Sequence, residues 1–232
     1  MNTEKIRLQT DLAAQVIVPN QKELSYQPTT NDYIFSFDIQ YENNYGYVAI
    51  DIVQFPNIKV GTFTHKASVT HEYQPGFFSF REGPLLLEAL EAFKTIVTDI
   101  VFPNLLIIDG HGIAHPRKFG VASYLGVKTG LPTIGVGKRT LLKYDGELAE
   151  ARGSTLPIYL DDEIVGNVLR TQDNTNPVFV SNGHKVHLDI ACDIALHFAA
   201  NYKNLDTIRR ADMAARAFAK GEMEEGFFKY KV

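Results

Sequence analysis

A short apolar run that ends on an acid constrains the fold of this chain more than any other feature. The run Leu105 to Ile108 contains only leucine and isoleucine, and Asp109 follows it directly, before glycines and histidines. Such a run, closed by turn residues, is typical of a strand that is buried on both faces in a parallel sheet. In open α/β sheets, ligands bind at the carboxyl ends of the strands. We therefore expect an α/β fold with Asp109 at a functional edge.

Length and composition favour one folded domain. The chain has 232 residues, of which 45% are hydrophobic and 22% charged, so it can bury one sizeable core, and we treat residues 1–232 as a single domain. Its single cysteine cannot form an internal disulfide, and the N-terminal segment lacks a signal-peptide pattern, which favours the cytoplasm. No apolar stretch approaches the ~20 residues that span a bilayer, so no membrane partner is expected.

The net charge of −4 argues against a protein that coats nucleic acid through a generally basic surface. It does not exclude an enzyme that acts on nucleic acid. Carboxylates that bind divalent cations form a site that attracts phosphate, even when the protein as a whole is acidic.

The first half of the chain predicts an antiparallel sheet followed by a helix. Extended segments at 33–39, 47–55 and 59–69 are separated by turn residues, so they should be antiparallel neighbours. A helical pattern of apolar residues then begins after Pro84, which we expect in the first turn of that helix. The buried strand before Asp109 follows.

The second half adds alternating helices and strands. A short helix is expected over 121–128, then a buried strand in "LPTIGVGK", a strand pair around 161–162, a strand in "PVFVS" and two C-terminal helices. The first of these helices places Cys192 on its apolar face, so we interpret Cys192 as a core residue. Three antiparallel strands followed by alternating helices and parallel strands, with helices on both faces, predict an α/β fold of the ribonuclease H-like type.

Four acidic residues could converge at one site. Asp38, in the strand "YIFSFDIQ", and Asp109 both lie on strands that should be close together. Glu82 stands just before the long helix, where it could alternatively interact with a helix N-terminus. Asp212 borders the apolar face of the last helix. Acids brought together repel one another unless they are protonated or bind metal, and oxygen ligands alone favour Mg²⁺ or Mn²⁺ over zinc.

Six segments between residues 33 and 215 carry longer motifs: "FDIQY", "YQPGFFSFRE", "IIDGHGIAHPRKFGVAS", "PTIGVGK", "NPVFVSNGHKV" and "RRAD". They resemble the successive motifs of the Endonuclease V family of inosine-directed nucleases. The resemblance implies Mg²⁺-dependent hydrolysis, with Mn²⁺ as a substitute, of the second phosphodiester bond 3′ to inosine. The products would carry 3′-hydroxyl and 5′-phosphate ends, as in DNA repair. The implied partner is inosine-containing DNA, or RNA as in eukaryotic relatives, bound by a monomer.

The resemblance assigns roles to the acids and to one lysine. Asp38, Glu82 and Asp109 would be the metal-binding carboxylates, and Asp212 would complete the catalytic site. Lys138 matches the family's active-site lysine and would contact the phosphate, for which a compact charge is suited. From its position alone, Lys138 would be interpreted as a solvated lysine after a strand.

The resemblance also implies how the base is recognised. Tyr73 matches the aromatic wedge that fills the space left by the extruded base. The pocket would be formed by nearby residues, namely Pro75, Gly76, Gly110, Gly112 and His115. Bacterial members usually have Pro-Tyr-Ile-Pro at the wedge, whereas Glu72 and Gln74 flank Tyr73 here. The carboxylate of Glu72 would weaken contact with phosphates, so this departure bears on wedging and not on catalysis.

Three alternatives stay open at this point. Another ribonuclease H-like nuclease, specific for junctions or hybrids, would share the acids but not the motif around Tyr73. A non-catalytic module could bind inosine without cleaving it, although the complete set of acids and Lys138 argues against that. His111 and His115 are four residues apart, as in helical zinc sites, but the neighbouring glycines and proline prevent a regular helix.

Overall fold

A mixed sheet with helices on both faces forms the framework of the molecule. The computed structural model describes residues 2–100 and 102–231, and within them nine strands form one sheet. The strands are β1 (Tyr33–Glu42), β2 (Tyr45–Gln54), β3 (Ile58–Ser68), β4 (Leu105–Ile108), β5 (Thr133–Gly137), β6 (Thr155–Leu160), β7 (Glu163–Leu169), β8 (Val178–His184) and β9 (Gly226–Lys229). The helices are α1 (Asn2–Ala13), α2 (Phe78–Ile96), α3 (Val121–Thr129), α4 (Leu188–Phe198) and α5 (Asp206–Ala219). A single 3₁₀ turn spans Lys22–Leu24 in the described residues.

The strand order is β6-β7-β8-β5-β4-β1-β2-β3-β9. Strands β1, β4 and β5 are parallel, and the other neighbouring pairs are antiparallel. This arrangement confirms the prediction of a mixed sheet that begins with three antiparallel strands. Two hairpins have two-residue turns in which both residues have positive φ, at Asn43–Asn44 and Asp161–Asp162. That geometry is typical of type I′ turns, which match the twist of the flanking strands.

Burial on both faces explains why β4 is apolar throughout. Leu106 and Ile108 belong to a core formed with α2 and α3, whereas Leu105 and Ile107 belong to a core formed with α4 and the start of α5. Because successive side chains of a strand point to opposite faces, a central strand between two helical layers needs apolar residues at every position. Cys192 is buried in the α4 core, as predicted.

The predicted start of the long helix is wrong. Helix α2 begins at Phe78, so Pro84 lies inside the helix and not in its first turn, and Glu82 lies within the helix and not before it. A proline inside a helix clashes least when the residue before it has no Cβ. Gly83 meets that condition, and it also packs against Tyr124, whose ring a Cβ would meet at 2.2 Å. Helix α1 and strand β9 were not predicted. No helix in the described residues is long and apolar enough to cross a membrane.

Candidate active site

Two parallel strands bring Asp38 and Asp109 to the same level of the sheet. In the register of β1 and β4, Phe37 pairs with Ile108, and each acid directly follows one of these residues. The backbone N–H of Asp109 donates to the carbonyl of Phe37 at 3.4 Å, which continues the ladder to the acid itself. The apolar strands therefore hold the two carboxylates rigidly, side by side, as the strand pattern predicts.

Helix α2 contributes the third acid from one face of the sheet. Glu82 is only 6% exposed, and the hydroxyl of Tyr41 donates to its Oε1 at 3.4 Å. Burial raises the pKa of Glu82 well above its usual range, and the charges of Asp38 and Asp109 raise it further. Glu82 therefore belongs electrostatically to the same cluster as Asp38 and Asp109.

Helix α5 contributes the fourth acid from the other face. Asp212 Oδ1 accepts hydrogen bonds from Arg216 Nε at 2.9 Å and from Gln40 Nε2 at 3.2 Å. Asp212 is also hydrogen-bonded to Asp38. Gln40 and Arg216 were missed in the sequence. Their spacing was the available signal, since Gln40 lies two residues after Asp38 on a strand and Arg216 lies one helical turn after Asp212.

The carboxyl groups of this cluster resist being ionised at the same time. Burial raises the pKa of Asp38 to about 8, and the charge of Asp109 and the hydrogen bond to Asp212 add to this effect. Burial also acts to raise the pKa of Asp212, but the hydrogen bonds from Asp38 and Arg216 outweigh it, so the Asp212 pKa is lowered. The two carboxyl groups therefore share a proton more readily than they ionise together, with the pKa of Asp38 raised and that of Asp212 lowered.

Lys138 neutralises part of this charge. Its Nζ lies 2.5 Å from Asp109 Oδ2, and its side chain is half exposed whereas that of Asp109 is 12% exposed. Burial lowers the pKa of the Lys138 amine, but the charge of Asp109 and the hydrogen bond to it outweigh burial, so this pKa is raised. Lys138 follows β5, which is parallel to β4, so both residues lie at the same edge of the sheet.

The chemistry of these donors fits a hard divalent cation. Among the described residues, no three acidic, histidine or cysteine side chains are already grouped closely enough to hold a metal ion. However, Asp38 Oδ2 is buried without a hydrogen-bond partner, and burial raises the pKa of Asp109 although Lys138 opposes this. Carboxylate oxygens that are buried close together are the ligands that Mg²⁺ and Mn²⁺ prefer.

A cavity of about 440 Å³ adjoins the acids. Six of the residues predicted to form the site line it: Tyr73, Gly76, Asp109, Gly110, His115 and Lys138. The other five predicted site residues are not among its lining residues in the described part of the chain: Asp38, Glu82, Asp212, Pro75 and Gly112. The cavity therefore connects the predicted catalytic edge with the predicted base pocket.

Tyr73 extends into solvent at the rim of the cavity. Its side chain is 63% exposed and contacts Phe78 edge-on, with ring centroids 5.9 Å apart and an interplanar angle of 71°. One face of an exposed aromatic ring is available to stack on a base. The segment between β3 and α2 that carries Tyr73 has no helix or strand.

Gly112 and Gly110 have different surroundings. A Cβ on Gly112 would lie 1.8 Å from the carbonyl oxygen of Asn182, and its N–H donates to Ser181 Oγ at 2.8 Å, so Gly112 allows the loop to pack on β8. Gly110 has free space, since a Cβ there would meet its nearest atom at 3.8 Å. Gly112 thus shapes the pocket from behind, whereas Gly110 forms its surface.

His115 is a neutral wall of the cavity. It is 4% exposed, and burial lowers its pKa to about 4, with a further decrease from the charge of Arg117. Its Nδ1 accepts a hydrogen bond from the backbone N–H of Arg117 at 3.1 Å. Among the lining residues that were not assigned to the pocket from the sequence, Ser79 and His111 each have a buried polar atom without a hydrogen-bond partner.

A mixed sheet of this strand order with helices on both faces gives the chain a ribonuclease H-like fold, and acids from two strands and two helices cluster at the ends of its central strands. The sequence model of the Endonuclease V family matches residues 11–213, and the chain belongs to that family. It is therefore an enzyme, a nuclease whose substrate is nucleic acid.

Relatives of known name share nearly the full length of the chain. Endonuclease V from Nostoc punctiforme is 38% identical over 218 residues, which cover 92% of this chain and 93% of that protein. The crystal structure of Endonuclease V from Streptomyces avermitilis is 35% identical, with a TM-score of 0.84 over 96% of this chain and 94% of that one. Endonuclease V from Ciona intestinalis, in complex with a 24mer DNA that contains an inosine followed by a ribo-adenosine, is 23% identical. It has a TM-score of 0.82 over 95% and 98% of the two chains and shares the fold.

Proposed function

We propose that this enzyme recognises inosine in nucleic acid and hydrolyses the second phosphodiester bond on its 3′ side, in a Mg²⁺-dependent reaction. The products carry 3′-hydroxyl and 5′-phosphate ends, and the role is DNA repair. The observation that carries this proposal is that one cavity of about 440 Å³ is lined both by Asp109 and Lys138 and by Tyr73 and His115. A catalytic edge and a base pocket that share one cavity suit an enzyme that cuts at a fixed distance from the base it recognises.

In the proposed site, Asp38, Glu82 and Asp109 hold the cation, and Asp212 completes the set. Mg²⁺, or Mn²⁺ in its place, makes bound water more acidic and neutralises charge on the phosphate. The acids would have to be ionised to act as ligands, so Asp38 would hold the cation as a carboxylate. Gln40 and Arg216 keep Asp212 oriented toward Asp38 through the two hydrogen bonds that they donate.

Lys138 has a second partner in this proposal. The Lys138 ammonium pairs with Asp109 at 2.5 Å in the absence of substrate. If Asp109 held the cation, the half-exposed Lys138 would be free to turn to a phosphate oxygen of the substrate. A lysine suits this contact because its charge is compact and its stem is flexible.

The base pocket uses stacking and close backbone approach. Tyr73 inserts where the base leaves the stack, and extrusion costs a few kcal/mol, roughly, with less for a mispaired base such as inosine. Gly76 and Gly110 line the cavity with His115, and Pro75 stands beside the wedge. The Ciona intestinalis relative supports the choice of inosine, because that protein was solved with inosine-containing DNA.

A comparison of four substrates tests the proposal against its alternatives. The protein is incubated with Mg²⁺ and with four labelled substrates: inosine DNA, inosine RNA, a four-way junction and an RNA–DNA hybrid without inosine. We expect nicking only of the inosine strands, and the ratio between DNA and RNA identifies the natural substrate. Cleavage of the junction or of the hybrid would contradict the proposal, and binding of inosine without nicking would favour a non-catalytic module.

We further propose that the enzyme acts as a monomer, because one chain supplies all of the side chains named here.

A further inference from the structure

Helix α1 carries one polar side chain that is fully buried. Gln9 has no exposed surface, whereas most of α1 is exposed. Gln9 Nε2 donates hydrogen bonds to the carbonyl of Phe119 at 2.9 Å and to the carbonyl of Gly76 at 3.2 Å. Its Oε1 accepts a hydrogen bond from Arg117 Nε at 2.5 Å. A buried amide with three partners fixes the relative positions of the segments that supply them.

Arg117 completes the same hydrogen-bond network. Its guanidinium lies over the ring of Phe77, 4.5 Å from the ring centroid, and donates through its NH2 group to the carbonyl of Gly76. The carbonyl oxygen of Gly76 therefore accepts hydrogen bonds from both Gln9 and Arg117. Gly76 has a φ of +79°, a left-handed conformation that favours glycine, so this carbonyl is held at a defined turn.

The clamped turn lies next to the wedge. Gly76 is three residues after Tyr73 and two residues before α2, in a segment that has no helix or strand of its own. A second link connects α1 to the same segment, since Lys5 Nζ donates to Gln74 Oε1 at 3.3 Å. Leu12 packs in a small core with Phe119 and Tyr124, which anchors α1 to the body of the protein. Helix α1 thus supports the segment that carries Tyr73.

We propose that Gln9 is a positioning residue that holds the 72–77 segment, and with it Tyr73, in the geometry that opens duplex substrate. This inference rests on the proposed function. Gln9 lies outside residues 11–213, the range matched by the family model, so family membership does not assign it a role. Gln9 does not contact the acids and reaches the base pocket only through the backbone carbonyl of Gly76. We therefore expect its loss to alter wedging and to leave the chemical step intact.

Two variants test this role with a matched control. Gln9→Leu removes all three hydrogen bonds at similar volume, and Gln9→Glu keeps the acceptor for Arg117 but loses both donors. Gln15→Leu is the control, because Gln15 is exposed and donates only to the carbonyl of Asp11. For inosine in a duplex, we expect both Gln9 variants to raise KM by about tenfold with kcat unchanged, which corresponds to the loss of one or two hydrogen bonds. For inosine in a single strand, both parameters should match wild type.

A double variant links Gln9 to the wedge. If Gln9 acts through Tyr73, Tyr73→Ala combined with Gln9→Leu should bind duplex no more weakly than Tyr73→Ala alone. Additive losses, or equal losses on duplex and single strand, would overturn the inference. Wild-type behaviour of both Gln9 variants would overturn it as well.

Limited digestion with chymotrypsin provides a readout without activity. Tyr73 and Phe77 are aromatic cleavage sites within the supported segment, so Gln9→Leu should be cut there faster than Gln15→Leu. If wild type does not nick inosine strands, the proposed function fails, and the digestion still decides whether Gln9 holds the segment. If Gln9→Leu does not fold, Gln9→Glu decides between the same outcomes, and equal digestion of Gln9→Glu and Gln15→Leu would contradict the support role.

Discussion

Lys138 and Asp109 form an ion pair at the edge of the parallel strands, with Lys138 Nζ 2.5 Å from Asp109 Oδ2. Two oppositely charged groups at this edge, one from the end of β4 and one after β5, follow directly from the strand order. Lys138 opposes the rise that burial causes in the pKa of Asp109, whereas Asp38 and Glu82 have raised pKa values without an ion-pair partner at this distance among the described residues. Under the proposed function, this pair would separate when Asp109 binds the cation and Lys138 contacts the phosphate.

Removal of any one of the three proposed metal-binding acids should abolish nicking without loss of the fold. Asp38→Ala, Glu82→Ala and Asp109→Ala each delete a proposed ligand and also relieve repulsion among buried acids. In the absence of metal, we expect the melting temperature of each variant to equal or exceed that of wild type. Nicking rates in Mg²⁺ and thermal melts with EDTA check both parts, and near-native nicking by Asp109→Ala would refute the assignment.

The effect of removing the Tyr73 side chain on binding should depend on whether the inosine lies in a duplex or in a single strand. Tyr73→Ala should weaken binding to inosine in a duplex more than in a single strand, because a wedge replaces stacking only where stacking was present. Stacking of a base on an aromatic side chain is worth about 1–3 kcal/mol, which is roughly 5- to 150-fold in Kd. Binding titrations on both substrates measure this difference, and equal losses would exclude the wedge role.

Exchange of the fourth acid should change metal preference. Asp212→His keeps a side chain that can act as a ligand, but imidazole is neutral and suits Mn²⁺ better than Mg²⁺. We expect this variant to keep measurable nicking with its preference shifted toward Mn²⁺, and Asp212→Ala to lose far more in both metals. Rates titrated against each metal provide the comparison, and curves that superimpose on wild type would remove Asp212 from the site.

The neutral state of His115 should appear in the pH dependence of stability. Burial lowers the pKa of His115 to about 4, whereas an unfolded histidine has a pKa near its ordinary value of 6.5. A lowered folded-state pKa means that the unfolded chain binds more protons, so the contribution to stability is complete above pH 6.5 and is lost as the pH falls toward 4. His115→Gln lacks this pH-dependent contribution to stability because glutamine does not titrate. Urea unfolding at pH 7 and pH 4.5 should show a larger loss for wild type than for His115→Gln, and parallel losses would contradict the assignment.

The sequence predicted those parts of the site that depend on local pattern. Asp109 was expected at a functional edge because it directly follows a buried apolar strand of an α/β sheet, and Asp38 was grouped with it because the two strands should lie close together. Asp212 was identified from helical periodicity. The role of Gln9 was not, because its partners are 67 and 110 residues away in sequence and only tertiary packing brings them together. The start of α2 was misplaced, because Pro84 is a frequent first-turn residue and the tolerance provided by Gly83 is visible only in three dimensions.

The position of the cut tests the central claim most directly. A duplex with one inosine, labelled at each end in turn, and a matched duplex with adenosine are incubated with the wild-type enzyme and Mg²⁺. The products are separated beside a sequence ladder, and their ends are tested for phosphate. We predict a single nick at the second phosphodiester bond 3′ to inosine, with 3′-hydroxyl and 5′-phosphate ends, and an intact adenosine duplex. Cleavage of both duplexes at equal rates, or a cut at another position, would contradict the account.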